Sequence, residues 1–413
     1  MYLSELSIKN FRSFDEKGVT IKFKEGLTAI VGENDSGKTA IIDSLRHLLS
    51  TTDQDWLRFT QDDFHQSLTN GNSASEIQIS ATFENLTQGD KSGFAEYLTY
   101  GNSQDEQPTL HVTLNAKQNG RKSGRLTTFT EVRSGLNGDG PTIDSRARAL
   151  LAATYLRPLR DAEDELSSGR NSRLSMVLHA LGGIDEGDKF DSTKEEAPSL
   201  DAEQINKLSL LGLGDYFNQL IENHVHITKG SSKVNEHLEA MQLSGELFNS
   251  RISVSSSGSD SLRLRQLLEK LNLSLGNASG RMGLGSNNIL FMACELLLLA
   301  DEQDSFPMLL IEEPEAHVHA QRQVRLIRYL QNIASNERTD GQKPQIIITT
   351  HSPNLASEIS TDNLVVVKSG SAFSMSQEQT KLEQSDYRFL NRFLDVTKAN
   401  LFFARSVDLL PLI

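Results

Sequence analysis

Apolar and polar positions alternate along several stretches of the chain. Leu3, Leu6 and Ile8 mark residues 2–8, and Val19, Ile21 and Phe23 mark 19–23. A period of two predicts strands with one buried face. The turn Asn10-Phe11-Arg12-Ser13-Phe14 lies between them, so the two are expected as an antiparallel pair. Glu76 to Phe83 alternates as well, as do Leu110 to Leu114 and Leu126 to Val132. These predict an antiparallel β region, with Gly/Asn/Ser/Asp-rich loops over 101–105 and 134–142. Other runs are mostly apolar and do not alternate: 26–31, Met308 to Ile311, 345–351 and 363–368. They read as buried strands, and the pair 2–8 and 19–23 is expected beside the strand at 26–31. Helical spacing covers 39–49, 145–153, 289–300 and 321–332. Pro158 stops any helix near 154–161. From about 163 to 275 the charge rises, helical spacing recurs in 201–223 and 233–248, and serines crowd 253–261. This predicts a helical region inserted between two halves of one α/β fold. It lacks sustained heptads, so a short arm is expected rather than a long coiled coil.

Gly32-Glu33-Asn34-Asp35-Ser36-Gly37-Lys38-Thr39 fits G-x-x-x-x-G-K-[ST]. A buried strand precedes it and a helix follows, the context this P-loop pattern needs. Backbone N–H groups of Gly32, Asn34, Asp35, Ser36, Gly37 and Ala40 and the helix N-terminus would face a polyphosphate. Lys38 would reach the β- and γ-phosphates, and the Thr39 hydroxyl would hold Mg²⁺. ATP and Mg²⁺ are the cofactors expected. The plain alternative is a chance glycine turn before a helix, which the downstream residues disfavour.

Met308-Leu309-Leu310-Ile311-Glu312-Glu313 is a buried strand ending in two carboxylates, a Walker B segment. Adjacent buried acids are costly unless a cation or a reacting water uses them. Glu312 is expected to support Mg²⁺ through water, and Glu313 to orient or deprotonate the attacking water. His351 ends the strand after it, where a switch histidine would contact the γ-phosphate. Residues 279–288 form a small-residue loop before a helix, in the place of an ABC-type signature loop. The Leu-Ser-Gly-Gly core is absent, so Ser279, Gly283, Gly285 and Ser286 are candidates by order alone, against a flexible connector. Gln61, beside Asp62 and Asp63, is a candidate Mg²⁺ or water contact, against an ordinary loop. His317 and His319 stand as H-x-H beside the two glutamates, a pattern that suits a metal site, but a D-loop already accounts for that position. Arg157, Arg160 and Asp161 are compatible with a phosphate or DNA contact and with an ion-paired turn.

The 413 residues carry a net charge of −14, which argues against an all-basic surface but leaves room for DNA binding through a local basic patch. The single cysteine, Cys294, excludes a disulfide framework within the chain and fits a reducing cytosol. The longest apolar run, Ile289 to Ala300, contains Glu295 and is too short to span a bilayer. No signal-peptide pattern opens the chain. A cytoplasmic protein without membrane contact is expected.

Leu-x-Ile-x-Asn-Phe-Arg-Ser-Phe followed by Gly-Glu-Asn-x-x-Gly-Lys-Thr resembles the start of the RecF/SMC-like ATPases. That resemblance implies that Arg12 lies near the nucleotide. With Glu-Glu-Pro-Glu-Ala-His-x-His and Thr-Thr-His-Ser-Pro added, the chain resembles the OLD (overcoming lysogenisation defect) family of ATP-dependent nucleases. The segments at 156–161 and 398–405 share the family's look. The resemblance implies an ABC-type P-loop ATPase with an antiparallel β subdomain and an inserted dimerisation arm. The halves would run over 1–162 and 276–405, around an insertion at 163–275. It implies a homodimer sharing ATP between P-loop and signature loop, and a role in DNA processing or defence against phage. In that family a Toprim nuclease domain follows. Residues 406–413 are a stub where it would begin; no glutamate follows Glu383 and no Asp-x-Asp follows Asp386. Two-metal phosphodiester chemistry needs several gathered carboxylates, so nuclease activity is not expected from this chain alone. The alternative function is a slowly hydrolysing, ATP-gated sensor that recruits a separate nuclease.

Overall fold

The structure is a computed structural model. It describes residues 1–51, 57–67, 72–101, 107–122, 125–157, 173–180, 183–191, 199–241, 259–271, 284–301, 306–338, 341–394 and 398–404. Two compact units result: residues 1–160 with 283–413, and residues 161–282.

The first unit contains two six-stranded sheets. The strands are β1 (Tyr2–Lys9), β2 (Val19–Lys22), β3 (Leu27–Gly32), β4 (Glu76–Glu84), β5 (Leu98–Thr99), β6 (Thr109–Lys122), β7 (Arg125–Ser134), β8 (Thr154–Leu156), β9 (Met308–Glu312), β10 (Gln345–Thr350), β11 (Leu364–Lys368) and β12 (Ser371–Ser374). One sheet runs β2-β1-β4-β6-β5, with β7 also paired to β6, and is antiparallel throughout. Burial in β4 alternates at every position, as one covered face requires. The other sheet runs β12-β11-β3-β10-β9-β8; only β12 is antiparallel to its neighbour. Its central strands β3, β9 and β10 are buried at every residue, because layers cover both faces of such a sheet.

Two expectations need correction. The pair β1–β2 forms as predicted, but in the antiparallel sheet; the strand neighbours of β3 are β11 and β10. An alternating strand has only one apolar face to bury, which suits the outer sheet. The helix expected over 289–300 begins at Leu284, so Gly285 and Ser286 lie in its first turn and not in a loop.

Helix α1 (Lys38–Leu49) touches β4 and β6 on one side and β3, β9 and β10 on the other. Nearly all of it is buried, including Ile41, Ile42, Leu45, Leu48 and Leu49. Burying each such side chain stabilises the fold by about 1.5–3 kcal/mol. One apolar core joins α1 to both sheets, with Leu3, Leu6 and Ile79 from one and Leu310, Ile347 and Val365 from the other. Gln345 ties the sheets by polar bonds as well. Its amide accepts from Leu3 N at 2.8 Å and donates to Leu3 O at 2.9 Å. On the far side of the parallel sheet, the helix Ala320–Ser335 lies against β3 and β10.

The described part of the second unit is mostly helical, with helices at Arg173–Ala180, Ala202–Lys207, Leu210–Glu222, Val225–Met241 and Asp260–Leu268, and a bridge between Asp188 and Leu208. Asp201 and Ser209 cap two of them. Arg263 pairs with Asp215 across two others. Leu264 and Leu268 are buried there. Among the described residues no helix is long and apolar enough to cross a membrane.

Candidate nucleotide site

The sequence Gly32 to Thr39 forms a tight loop between β3 and α1 because several of its residues, Gly32 among them, have positive φ. Asp35 has φ 61° and Gly37, the residue before α1, has φ 112°. A Cβ at Gly37 would lie 2.7 Å from Ser13 Oγ and 3.1 Å from the Phe14 ring, so glycine meets both the conformation and the close approach. The loop opens onto the N-terminus of α1, where backbone N–H groups lack helical partners. Asn34, Asp35 and Thr39 are exposed, whereas Ser36 and Lys38 are buried.

Lys38 Nζ donates to Gly32 O at 2.9 Å and Glu33 O at 2.5 Å. Burial pulls its pKa down to about 8, against the opposing charges of Glu313, Asp35, Glu315 and Glu33. The lysine is therefore within electrostatic reach of the acids that follow β9.

Those acids arrive because β9 and β3 flank β10 in parallel register. Ile30, Thr349 and Glu312 stand level across the three strands, so all three strand ends meet at one edge. Glu313 follows with φ 46° and donates its N–H to Thr349 O at 3.0 Å. His351 Nε2 lies 3.3 Å from Glu313 Oε1. Burial and the Lys38 charge hold the His351 pKa below its ordinary value, which Glu313 opposes. Glu315 fixes the histidine's backbone: its Oε1 accepts from the Thr350 hydroxyl at 2.8 Å and from His351 N at 2.6 Å. Burial raises the Glu315 pKa.

Glu312 is buried, and burial together with the Asp43 charge pushes its pKa up to about 7. Its Oε2 accepts from Tyr155 OH at 3.2 Å. Among the described residues its Oε1 has no partner, and neither have Ser36 Oγ and Glu315 Oε2. Buried polar atoms are normally satisfied, and a hydroxyl and a carboxylate oxygen near a phosphate cradle are hard-oxygen groups suited to Mg²⁺ with its water shell. The residues thus fit a Mg²⁺–nucleotide complex. Among the described residues no three His, Cys, Asp or Glu side chains could hold a metal by themselves. His317 and His319 are exposed.

Other predicted residues have surroundings of their own, and Arg12 precedes Ser13, whose hydroxyl faces Gly37 of the loop. Arg12 Nε pairs with Asp63 at 2.8 Å and its NH1 with Asp43 at 2.5 Å; its guanidinium is committed to these carboxylates. Gln61 is exposed on the short 3₁₀ turn Gln61–Asp63. Gly285 presses against the acid segment, since a Cβ there would meet His317 O at 2.2 Å. Ser286 Oγ accepts from Arg322 at 3.4 Å. Arg157 is exposed directly after β8, the strand paired with β9. Ser279 and Gly283 lie outside the described residues, as do Arg160, Asp161 and 406–413. Sequence reasoning missed Tyr155, Asp43 and Arg46. The available signal was a charged pair at i, i+3 inside an otherwise apolar helix.

A family model described as AAA ATPase domain matches residues 1–139 and 141–356. The chain belongs to that AAA ATPase family. This family member is 26% identical over 359 residues to an OLD nuclease of Thermus scotoductus, covering 86% of the chain and 60% of that protein. It is 24% identical over 234 residues to the chromosome partition protein Smc of Methanococcus voltae, covering 50% of the chain and 18% of that protein. The chain thus spans less than two thirds of the length of these relatives. Among solved structures, the Smc head domain with an extended coiled coil bound to the C-terminal domain of ScpA, from Pyrococcus furiosus, superposes with a TM-score of 0.50. That likeness has 15% identity and covers 95% of this chain and 99% of the other. At this identity it shows the fold alone, that of an Smc head domain.

Proposed function

We propose that this AAA-family chain binds ATP with Mg²⁺ and hydrolyses the γ-phosphate. The observation that carries the reading is the convergence of Lys38, Glu313 and His351 at one edge of the parallel sheet, with His351 3.3 Å from Glu313. Lys38 and the loop amides would bind the phosphates. Thr39 and Glu312 would hold Mg²⁺, which would neutralise negative charge on the phosphates. Glu313 would take a proton from the attacking water as its oxygen bonds to the γ-phosphorus and the bond to the β-phosphate oxygen breaks. His351 would orient that water or the γ-phosphate.

The alignment with an OLD nuclease over most of the chain supports a further reading. The ATPase would be the nucleotide-gated module of an OLD-type DNA nuclease, with the cutting chemistry in a Toprim domain or a partner chain. It would act as a cytoplasmic homodimer on DNA, in DNA processing or defence against phage.

The test is the steady-state ATPase rate with and without duplex DNA, beside Lys38→Ala and Glu313→Gln, with a nuclease assay on the same sample. Lys38→Ala should abolish tight nucleotide binding. Glu313→Gln should bind ATP but turn over about 10²–10⁴-fold more slowly, the range for a lost general base. Unchanged affinity in the first would remove the phosphate role of Lys38, and a near-normal rate in the second would move the base elsewhere. DNA cleavage by the chain itself would overturn the division of labour.

A further inference from the structure

Tyr155 belongs to no nucleotide-binding motif, yet it is bonded to the acid pair. It lies on the short strand β8, level with Leu310 of β9. Its hydroxyl donates to Glu312 Oε2 at 3.2 Å in a buried setting. The other carboxylate oxygen, Oε1, is buried without a partner among the described residues.

The tyrosine is itself held. The Arg46 guanidinium sits 3.8 Å from the centre of its ring. Arg46 NH1 donates to Asp43 Oδ1 at 2.7 Å. The second Asp43 oxygen takes Arg12 at 2.5 Å, and Arg12 Nε reaches Asp63 at 2.8 Å. A chain of charge-assisted bonds and one cation–π contact thus runs from the 3₁₀ turn through α1 to the Walker B carboxylate.

The terminal torsion of a glutamate is broad and two-fold. A bond to one oxygen narrows it, so the ordering cost is met before a cation arrives. Resting on the reading of Glu312 as the Mg²⁺-supporting acid, we propose that Tyr155 is a positioning residue: its hydroxyl holds Glu312 Oε2 and thereby presents Oε1 to nucleotide-bound Mg²⁺. Groups standing behind a metal ligand characteristically set its orientation.

The experiment measures the affinity for a non-hydrolysable ATP analogue, once in saturating Mg²⁺ and once in EDTA, for the whole chain and for Tyr155→Phe, Glu312→Gln and the double variant. Tyr155→Phe keeps the ring under Arg46 and removes only the hydroxyl. The expected result is an unchanged affinity in EDTA and a Mg²⁺-dependent gain reduced about tenfold, the lower end of the cost of losing such a partner. Glu312→Gln should reduce the gain at least as much, and the double variant should be no worse than Glu312→Gln. A reduced gain in Glu312→Gln with a normal gain in Tyr155→Phe overturns the positioning role alone. A normal gain in Glu312→Gln overturns it together with the metal assignment of Glu312. An equal loss in EDTA and in Mg²⁺ for Tyr155→Phe, while Glu312→Gln loses only the Mg²⁺-dependent part, makes the hydroxyl merely structural and also overturns the proposal.

Discussion

At the scale of single residues, the protonation of Lys38 is the property most open to measurement. Burial brings its pKa down to about 8, and an adjacent polyphosphate would favour the charged form. Binding that needs the ammonium is therefore nearly independent of pH below 8. Above 8 each binding event must also take up a proton, and affinity falls with rising pH until the raised pKa of the complex is reached. Between pH 7.5 and 9 the nucleotide dissociation constant should rise about tenfold, a change set by the free lysine's titration. Lys38→Arg should flatten the profile, because a guanidinium stays charged throughout. Titration calorimetry at the two pH values checks this, and a flat wild-type profile would refute it. The role of Lys38 was legible in the sequence because a motif fixes it. The depressed pKa was not, since it depends on what packs around the side chain.

Elements carry the next part of the argument, and Gly32 shows how tightly they are set. It stands opposite Val367 in the β3–β11 pairing, and a Cβ there would fall 2.2 Å from Val367 O. The obstacle is backbone, which cannot swing aside as a side chain end can. Gly32→Ala should push β11 from β3 and lower stability by about 1–3 kcal/mol, the usual cost of overpacking. Urea unfolding measures it, and an unchanged midpoint would mean the strand end is looser than this contact implies. The sequence made the strands on both sides of the P-loop legible, because unbroken apolar runs such as Ile346 to Ile348 and strict alternation such as Ile77 to Phe83 have different periods. It did not separate the two sheets. Pairing between distant segments is settled by which apolar faces meet across α1, and no local pattern encodes that. Strand β8 escaped notice because three residues followed by Arg157 and Pro158 are too few to show a period. Helix Leu284–Asp301 begins earlier than predicted because glycine at 285 read as loop, whereas it is the residue that lets the helix approach His317.

For the whole molecule, the question is what covers the open side of the site. Asn34, Asp35 and Thr39 are exposed at the phosphate loop, so a nucleotide bound there would keep one face in water. Excluding water strengthens every charge interaction on a transferring phosphate. A second copy presenting the start of its helix Leu284–Asp301 would close that face, in keeping with the homodimer proposed above. The resting stoichiometry does not test this, because a dimer joined elsewhere would persist without nucleotide. Cross-linking does. Asp35→Cys and Ser286→Cys are made separately, each in a Glu313→Gln background that retains ATP, and mixed under mild oxidation. Cys294 is buried and stays out of reach. A disulfide forms only when two Cα atoms come within about 7 Å, so a linked dimer should appear with ATP and Mg²⁺ and be largely absent without them. Linkage that ignores nucleotide would make the contact permanent and not ATP-gated. No linkage in either condition, with ATP binding intact, would remove residue 286 from the site and leave each chain to hydrolyse ATP with its own residues.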